Sequence, residues 1–248
     1  MIPKIIHYCW FGRNPKPQLI LNCIESWKRF CPDYEIIEWN EDNFNINECK
    51  FCREAYEAKN WAFVSDYARL FVLEKFGGIY LDTDLELLKP LDTFLNNDGF
   101  LGFESRDYVG TSIMGSGGGH QLLKELKADY EISDYYNSDG TPDLTTNVRR
   151  MRKTLLEGGL INNGKQQTVC GMTIYPQKYF FPYNIGLLFN HKPKKSYAIH
   201  YVTGSWGNGV DFHGGKLRYL KLVVVNRLRS LIGTDTVDRI KRRLNRGN

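Results

Sequence analysis

Two carboxylates at the end of a predicted strand, Asp82 and Asp84, are the residues of this chain best placed for chemistry. The apolar run at residues 79–81 is typical of a buried strand, and the preceding Gly77 and Gly78 allow close backbone approach. Side chains at i and i+2 on a strand point to the same side of it. The two carboxylates can therefore hold one hard divalent cation between them.

A second pair of charged residues, Asp66 and Arg69, lies on the helix predicted directly before this strand. Residues 62–76 contain no Pro or Gly and are mostly apolar, which indicates a helix buried on more than one face. The spacing of three places both charges on one helix face. They can form a simple intrahelical ion pair worth a few tenths of a kcal/mol. A functional role is the alternative, because charges on a buried helix need partners.

The elements around this helix–strand unit predict an α/β fold. A strand over residues 5–11, a helix over 17–30 and a strand over 34–39 form a βαβ unit, whose strands should be parallel. The later predicted elements are helices over 48–59, 120–131 and 144–157, and strands over 85–89, 100–104, 111–114, 168–175 and 197–201.

Two further motifs carry weaker signals. The glycine-rich loop at residues 115–119 precedes a predicted helix and could hold phosphate, but it matches neither the Walker nor the dinucleotide pattern, which favours a structural turn. The lone pair Cys49 and Cys52 is a weak zinc signal. Several of the six cysteines fall at apolar positions, which indicates reduced, buried thiols.

The charge of the chain is divided between a body and a tail. The 248 residues carry a net charge of +5, yet residues 216–248 hold ten Lys or Arg against two Asp. This tail therefore carries +8 and residues 1–215 carry −3. A mildly acidic body points away from nucleic-acid binding. We expect one catalytic domain over residues 1–215 and an appendage over 216–248.

The tail alternates apolar and basic residues in a pattern typical of a basic amphipathic helix, with a second short helix past Gly233. Contact with an anionic membrane surface is one interpretation, and packing of the first helix on the body is an equal alternative. No apolar run reaches the length of a transmembrane helix, and residues 1–8 do not resemble a signal peptide. These features predict a cytoplasmic protein, peripheral on the inner face of the cell membrane.

Several separated motifs occur together in one order along the chain. They are Ile2-Pro3-Lys4-Ile5-Ile6-His7-Tyr8-Cys9-Trp10-Phe11-Gly12, Ser65-Asp66-Tyr67-Ala68-Arg69, Gly77-Gly78-Ile79-Tyr80-Leu81-Asp82-Thr83-Asp84, Ile199-His200-Tyr201 and Ser205-Trp206. In this combination the chain resembles family 32 of the glycosyltransferases, a group with a DXD sugar-binding region that includes capsular-polysaccharide enzymes and fungal mannosyltransferases. The resemblance covers about residues 1–207.

The resemblance implies a GT-A fold, a Rossmann-like mixed sheet flanked by helices. It also implies a nucleotide-sugar donor, with a UDP-sugar as first choice, and transfer of a hexose-type sugar with retention at the anomeric carbon. The acceptor would be a glycan or a lipid-linked oligosaccharide in capsular-polysaccharide or O-antigen synthesis. No residue stands out as a nucleophile, so a front-face mechanism is expected from the family alone.

The resemblance also assigns roles to residues. Asp82, Asp84 and His200 would bind Mn²⁺ or Mg²⁺, although His200 as an ordinary core or surface histidine stays open. Asp66 and Arg69 would hold sugar hydroxyls and, with Asp82 and Asp84, form the catalytic group. Three further groups would bind the donor. The turn of Trp10, Phe11 and Gly12 would line the nucleobase pocket, Gly78 and Tyr80 would contribute from the strand, and Ser205 and Trp206 would close over the diphosphate.

Two other functions remain compatible with these residues. A nucleotidyl- or phosphotransferase would use the acidic pair with two metal ions and would need a third nearby carboxylate. A catalytically silent protein that binds a sugar nucleotide or a glycan would keep the motifs without turnover.

Overall fold

The computed structural model describes residues 1–182 and 193–201, together with the single positions 224, 225, 228, 233, 236, 237 and 239. Five α-helices lie within residues 1–182: α1 (Gln18–Phe30), α2 (Lys50–Glu57), α3 (Trp61–Phe76), α4 (Gln121–Glu131) and α5 (Asn147–Glu157). Nine strands accompany them: β1 (Ile5–Cys9), β2 (Glu35–Trp39), β3 (Gly78–Leu81), β4 (Leu85–Leu87), β5 (Gly99–Phe103), β6 (Val109–Ser116), β7 (Gln167–Val169), β8 (Met172–Tyr175) and β9 (Ala198–His200).

Seven of these strands form one mixed sheet in the order β2-β1-β3-β6-β5-β8-β7. The predicted βαβ unit is confirmed, since β1 pairs in parallel with β2 and with β3. Strand β6 runs antiparallel to both of its neighbours, β3 and β5. The α/β fold class, a mixed sheet with flanking helices, is therefore confirmed for the described residues.

Helix α3 crosses the centre of the domain and delivers the chain to β3. Nine of its sixteen residues are buried, among them Asp66 and Arg69, as expected for a helix covered on more than one face. Gly77 ends the helix at φ +66°, and a side chain there would meet the backbone N of Gly118 at 2.7 Å. The glycine is thus required both by its left-handed backbone and by the close approach of another segment.

Two predicted elements differ from the structure. The strand predicted over residues 168–175 is the hairpin of β7 and β8, because Cys170 and Gly171 both take positive φ values, +50° and +77°. Such a pair of left-handed residues makes a tight two-residue turn. The helix predicted to begin at residue 144 begins at Asn147, and Leu144 lies exposed before it.

Other features follow the sequence closely. The glycine-rich segment 115–119 ends β6 and turns into α4, with the N–H of Gly119 donating to the carbonyl of Glu74, which fits the structural turn. Five of the six free cysteines are buried, and Cys170 is exposed. Among the described residues, no helix combines the length and apolar character needed to cross a membrane.

Candidate active site

A separate two-stranded sheet brings His200 to the acidic pair. Strand β4 follows Asp84 directly and pairs antiparallel with β9, with Leu85 opposite His200. The backbone N–H of Tyr201 also donates to the carbonyl oxygen of Asp84 at 3.0 Å. This pairing joins two parts of the chain more than a hundred residues apart, and sequence spacing alone does not reveal it.

Asp82, Asp84 and His200 form a group whose ligand atoms all lie within 4.8 Å of one another. The Nε2 atom of His200 is 3.1 Å from Oδ1 of Asp84 and 3.9 Å from Oδ2 of Asp82. Two carboxylates and one imidazole are a donor set that suits Mn²⁺ or Mg²⁺ better than a thiolate metal. These three residues therefore fit the divalent cation that the sequence predicts.

The charge of His200 depends on the same carboxylates. Burial lowers the pKa of His200, whereas Asp84, by its charge and hydrogen bond, and Asp82 raise it, with a net pKa of about 9. Only neutral imidazole can ligate a cation, so His200 must give up a proton for it to bind. The buried Nδ1 atom of His200 has no hydrogen-bond partner among the described residues.

The Asp66–Arg69 pair lies beside this group and is more than an intrahelical ion pair. The Nη2 atom of Arg69 is 3.1 Å from Oδ1 of Asp66, and its Nη1 atom is 3.3 Å from Oδ1 of Asp82. Nη1 also donates to the carbonyl of Thr111 at 2.8 Å. Arg69 therefore connects the helix pair to the acidic pair at the end of β3.

For both of these side chains, burial and the neighbouring charges shift the pKa in opposite directions. Burial lowers the pKa of Arg69, but Asp82, Tyr80 and Asp66 raise it by a larger amount. The net pKa of Arg69 therefore lies above its ordinary value, and the guanidinium keeps its charge. Burial raises the pKa of Asp66, against the stabilising effect of Arg69 and of a backbone N–H. The carboxylate of Asp66 thus depends on these two donors to remain ionised.

Tyr80 supports Arg69 and Asp82 from within the sheet. The Cζ atom of Arg69 lies 4.5 Å from the centre of the Tyr80 ring, and the Tyr80 hydroxyl donates to Oδ1 of Asp82 at 3.1 Å. The Tyr80 side chain is almost fully buried. Through these two contacts Tyr80 orients Arg69 and Asp82.

Sequence reasoning missed Asn147, the first residue of α5. Its backbone N–H donates to Oδ2 of Asp66 at 3.0 Å, and its side-chain Nδ2 is 3.4 Å from the Asp66 carbonyl oxygen. The first N–H groups of a helix have no partner within the helix, so they are available to a carboxylate. A search for helix starts that follow Thr or Ser could have identified Asn147, but nothing in the sequence connects it to Asp66.

The predicted nucleobase turn, Trp10-Phe11-Gly12, follows β1 at the sheet edge where β3 ends. Trp10 donates through Nε1 to the carbonyl of Asn14, and Phe11 is buried against Phe44. Gly12 has φ +91°, and a side chain there would collide with the Trp61 ring. Parallel strands present their carboxyl ends together, so the turn and Asp82 share one edge. The nucleobase role stays a prediction.

Gly78, Ser205 and Trp206 complete the predicted donor-binding residues. Gly78 begins β3, at the opposite end from Asp82, and a side chain there would meet the Ile5 carbonyl oxygen at 2.8 Å. This packing explains the glycine, and its donor-binding role stays a prediction. Ser205 and Trp206 lie outside the described residues.

Comparison with known proteins identifies the segment that carries the helix pair and the acidic pair of this site. Residues 17–101, which include the helix pair and the acidic pair, match the family described as glycosyltransferase sugar-binding region containing DXD motif. The match covers about a third of the chain and shows that this segment is similar to the sugar-binding region of DXD-type glycosyltransferases. The resemblance to the DXD glycosyltransferases is thereby confirmed for this segment.

Relatives of the DXD region are themselves described as glycosyltransferases. Inositol phosphoceramide mannosyltransferase 3 of Schizosaccharomyces pombe is 30% identical over 129 residues, which are 50% of this chain and 36% of the relative. An uncharacterized glycosyltransferase of Acanthamoeba polyphaga mimivirus is 25% identical over 83% of this chain and 84% of its own length. Among solved structures, the galactosyltransferase LgtC has a TM-score of 0.46 at 12% identity, over 88% of this chain and 95% of that one. The match to the mannosyltransferase spans about a third of that relative's length.

Proposed function

We propose that this protein is a metal-dependent, retaining glycosyltransferase. It would move a hexose-type sugar from a nucleotide-sugar, with a UDP-sugar as first choice, to a glycan or lipid-linked oligosaccharide in surface-polysaccharide synthesis. The observation that carries the proposal is the meeting of Asp82, Asp84 and His200 beside the buried Asp66–Arg69 pair within and next to the DXD region.

The chemistry of the proposed site follows from the charges on these residues. A nucleoside diphosphate leaves easily only when its growing negative charge is neutralised, and a divalent cation held by Asp82, Asp84 and His200 would supply that neutralisation as a Lewis acid. Arg69 adds a fixed positive charge 3.3 Å from Asp82. Preorganised charges of this kind need no rearrangement during the reaction.

The sugar ring would be oriented by the pair on α3. An ionised Asp66 accepts hydrogen bonds from sugar hydroxyls, while Arg69 only donates, so the two side chains distinguish donor and acceptor groups on the ring. Asp66 is itself fixed by Arg69 and by the first N–H of α5. Both partners hold the carboxylate in one orientation, which favours a specific pose of the sugar.

A nucleotidyl- or phosphotransferase is less well supported by the same geometry. Two-metal sites of that class are built from several carboxylates, whereas the third member of the ligand group in the described residues is an imidazole. The donor set therefore favours one cation. The retaining stereochemistry and the front-face route rest on the family resemblance alone.

The proposal also includes association with a membrane through the basic tail. The tail at residues 216–248 would hold the enzyme on the inner, cytoplasmic face of an anionic membrane, close to a lipid-linked acceptor. Support comes from the ten basic residues in this segment.

A donor screen tests the proposed activity. Purified protein is incubated with UDP- and GDP-sugars and Mn²⁺, and release of nucleoside diphosphate is followed. We expect release with one donor and its loss on addition of a chelator. Donor binding without release or transfer for any donor would contradict the enzyme proposal and favour a silent binding protein.

A further inference from the structure

A groove on the outer flank of α5 is rich in basic residues, and the proposed donor site uses none of them. It encloses about 450 Å³ and is lined by Tyr108, Arg149, Arg152, Lys153, Leu156 and Glu157. The five helix residues among these follow a spacing of three and four, so they share one face of α5. The sixth, Tyr108, comes from the hairpin between β5 and β6.

The groove concentrates positive charge that no ion pair among the described residues neutralises. Arg149, Arg152 and Lys153 face a single carboxylate of the lining, Glu157, and none of the three forms an ion pair within the described part of the chain. Arg150 on the same helix behaves differently, since it pairs with Asp129 and with Asp143, the latter at 2.7 Å. The unpaired cations are thus a feature of this one face of α5.

Arg152, one of the lining residues, is held in position by two contacts. Its Nε donates to the carbonyl oxygen of Asp107 at 3.1 Å, and its Cζ lies 4.9 Å from the centre of the Tyr108 ring. These contacts use one face and one N–H group of a guanidinium that has five donors. The remaining donors are fixed in direction, which is the arrangement that recognises phosphate oxygens in a bidentate manner.

Two elements connect this groove to the proposed sugar site. Helix α5 begins at Asn147, which holds Asp66, and Arg149 and Arg152 follow about 3 Å and about 7.5 Å further along the helix axis. Strand β6 leads from Tyr108 to Thr111, whose carbonyl binds Arg69, over about 10 Å. Two short stretches of chain, one along α5 and one along β6, therefore connect the groove to the Asp66–Arg69 pair.

We propose that the α5 groove binds the phosphate of the acceptor, so that the enzyme takes an acceptor carrying a phosphate ester or diphosphate near the sugar to be extended. The proposed function assigns the diphosphate of the donor to the Asp82–Asp84–His200 group, which leaves an anion of the acceptor as the substrate group for this basic groove. The inference rests on the proposed function, because it assigns the groove to the acceptor of that reaction.

Binding of a simple phosphate ester tests the inference without turnover. The full chain, with Mg²⁺ and UDP in excess to fill the donor site, is titrated calorimetrically with sn-glycerol 3-phosphate and with glycerol. We expect the phosphate ester alone to bind, and the double variant Arg149→Gln/Lys153→Gln to bind it at least about tenfold more weakly, since two charge-assisted hydrogen bonds are lost. Because no sugar transfer is measured, this result is independent of whether the donor screen succeeds.

A second basic groove of similar size provides the matched control. It encloses about 460 Å³ past the far end of β4 and contains Arg29, Lys89 and Lys194. Arg29→Gln/Lys89→Gln removes the same charge, and we expect the affinity for glycerol 3-phosphate to stay within about twofold. Equal losses in both double variants, or equal binding of glycerol and its phosphate, would overturn the inference.

A membrane surface is the other source of phosphate groups. Both double variants are sedimented with phosphatidylglycerol vesicles, and loss of vesicle binding in the α5 variant without any change in glycerol 3-phosphate affinity would overturn the inference in favour of a membrane contact. Thermal melting shows whether each variant is folded. If the melting temperature of Arg149→Gln/Lys153→Gln falls, the single variant Arg149→Gln, at an exposed position, replaces it in the titration.

Discussion

Asp84 is the most buried carboxylate of the proposed metal site, with a side chain 8% exposed. We predict that Asp84→Ala weakens donor binding in Mn²⁺ by more than about a hundredfold, because even the partners of metal ligands change metal affinity by 10–100-fold. Calorimetric titration with the donor found in the screen, with and without Mn²⁺, measures the effect. The melting temperature should remain close to that of the unmodified protein.

The control for this variant is an exposed carboxylate away from the site. Asp33 pairs with Lys4 at 2.5 Å and is 57% exposed, so Asp33→Asn should leave donor affinity unchanged. An Asp84→Ala protein that retains its Mn²⁺-dependent donor affinity would contradict the metal assignment. A protein that loses donor affinity equally with and without Mn²⁺ would show that Asp84 acts on the donor directly.

Asn147 permits a separate test of a single backbone N–H group. Pro is tolerated at the first position of a helix, and Thr146 before it already has the extended backbone, φ −70° and ψ 157°, that precedes proline. We predict that Asn147→Pro binds donor about tenfold more weakly than Asn147→Ala, because a hydrogen bond to a charged group contributes about 1.5–3 kcal/mol. Both variants lack the amide side chain, and only the proline variant lacks the N–H that holds Asp66. Equal donor affinities in calorimetry would remove this role.

At the level of secondary structure elements, β1 carries a buried histidine whose two nitrogens are both engaged. The Nδ1 atom of His7 accepts from Nε1 of Trp39 at 3.1 Å, and its Nε2 lies 2.8 Å from the carbonyl oxygen of Gly77 at the end of α3. An acceptor at one nitrogen and a donor at the other describe the neutral imidazole. Burial lowers the pKa of His7 from 6.5 to about 4, partly opposed by the Gly77 carbonyl.

This lowered pKa predicts an acid-sensitive fold. The unfolded chain takes up the proton first as pH falls below about 6.5, so the contribution of His7 to stability is complete above that pH and is lost toward pH 4. Between pH 6.5 and 5 the loss should be about 1.5 kcal/mol in the free energy of unfolding. Urea unfolding of the unmodified protein and of His7→Gln at both pH values measures it. The same pH dependence in both proteins would contradict the assignment to His7.

The elements differ in how far the sequence could predict them. The order β1, α1, β2 and the unit α3–β3 follow from apolar periodicity and from the Pro and Gly residues that end them, and Asp82 and Asp84 follow from their position after β3. The hairpin at Cys170 was missed because a non-glycine residue takes a left-handed backbone there. The pairing of β4 with β9 and the contact of Asn147 with Asp66 were beyond prediction, because both depend on long-range packing that no local pattern encodes.

At the level of the whole molecule, the proposed site gathers contributions from most of the chain. Helix α3, strand β3, the β4–β9 sheet and the start of α5 each supply one side of it. Three positive groups, Arg69, His200 and the N-terminus of α5, lie around three carboxylates, Asp66, Asp82 and Asp84. Such a balance keeps the buried charges compatible with a folded domain.

The basic tail should add a membrane contact to this site. We predict that deleting residues 216–248 weakens sedimentation with vesicles of phosphatidylglycerol and phosphatidylcholine, since each cation near an anionic surface contributes about 1 kcal/mol. Replacing the basic residues at 239, 241, 242, 243 and 246 by Gln in the full chain should have the same direction of effect and controls for damage caused by the deletion. Binding of the unmodified protein should also fall as salt rises, because screening shortens the reach of these charges. Vesicle binding that survives both changes would show that the body, and not the tail, meets the membrane.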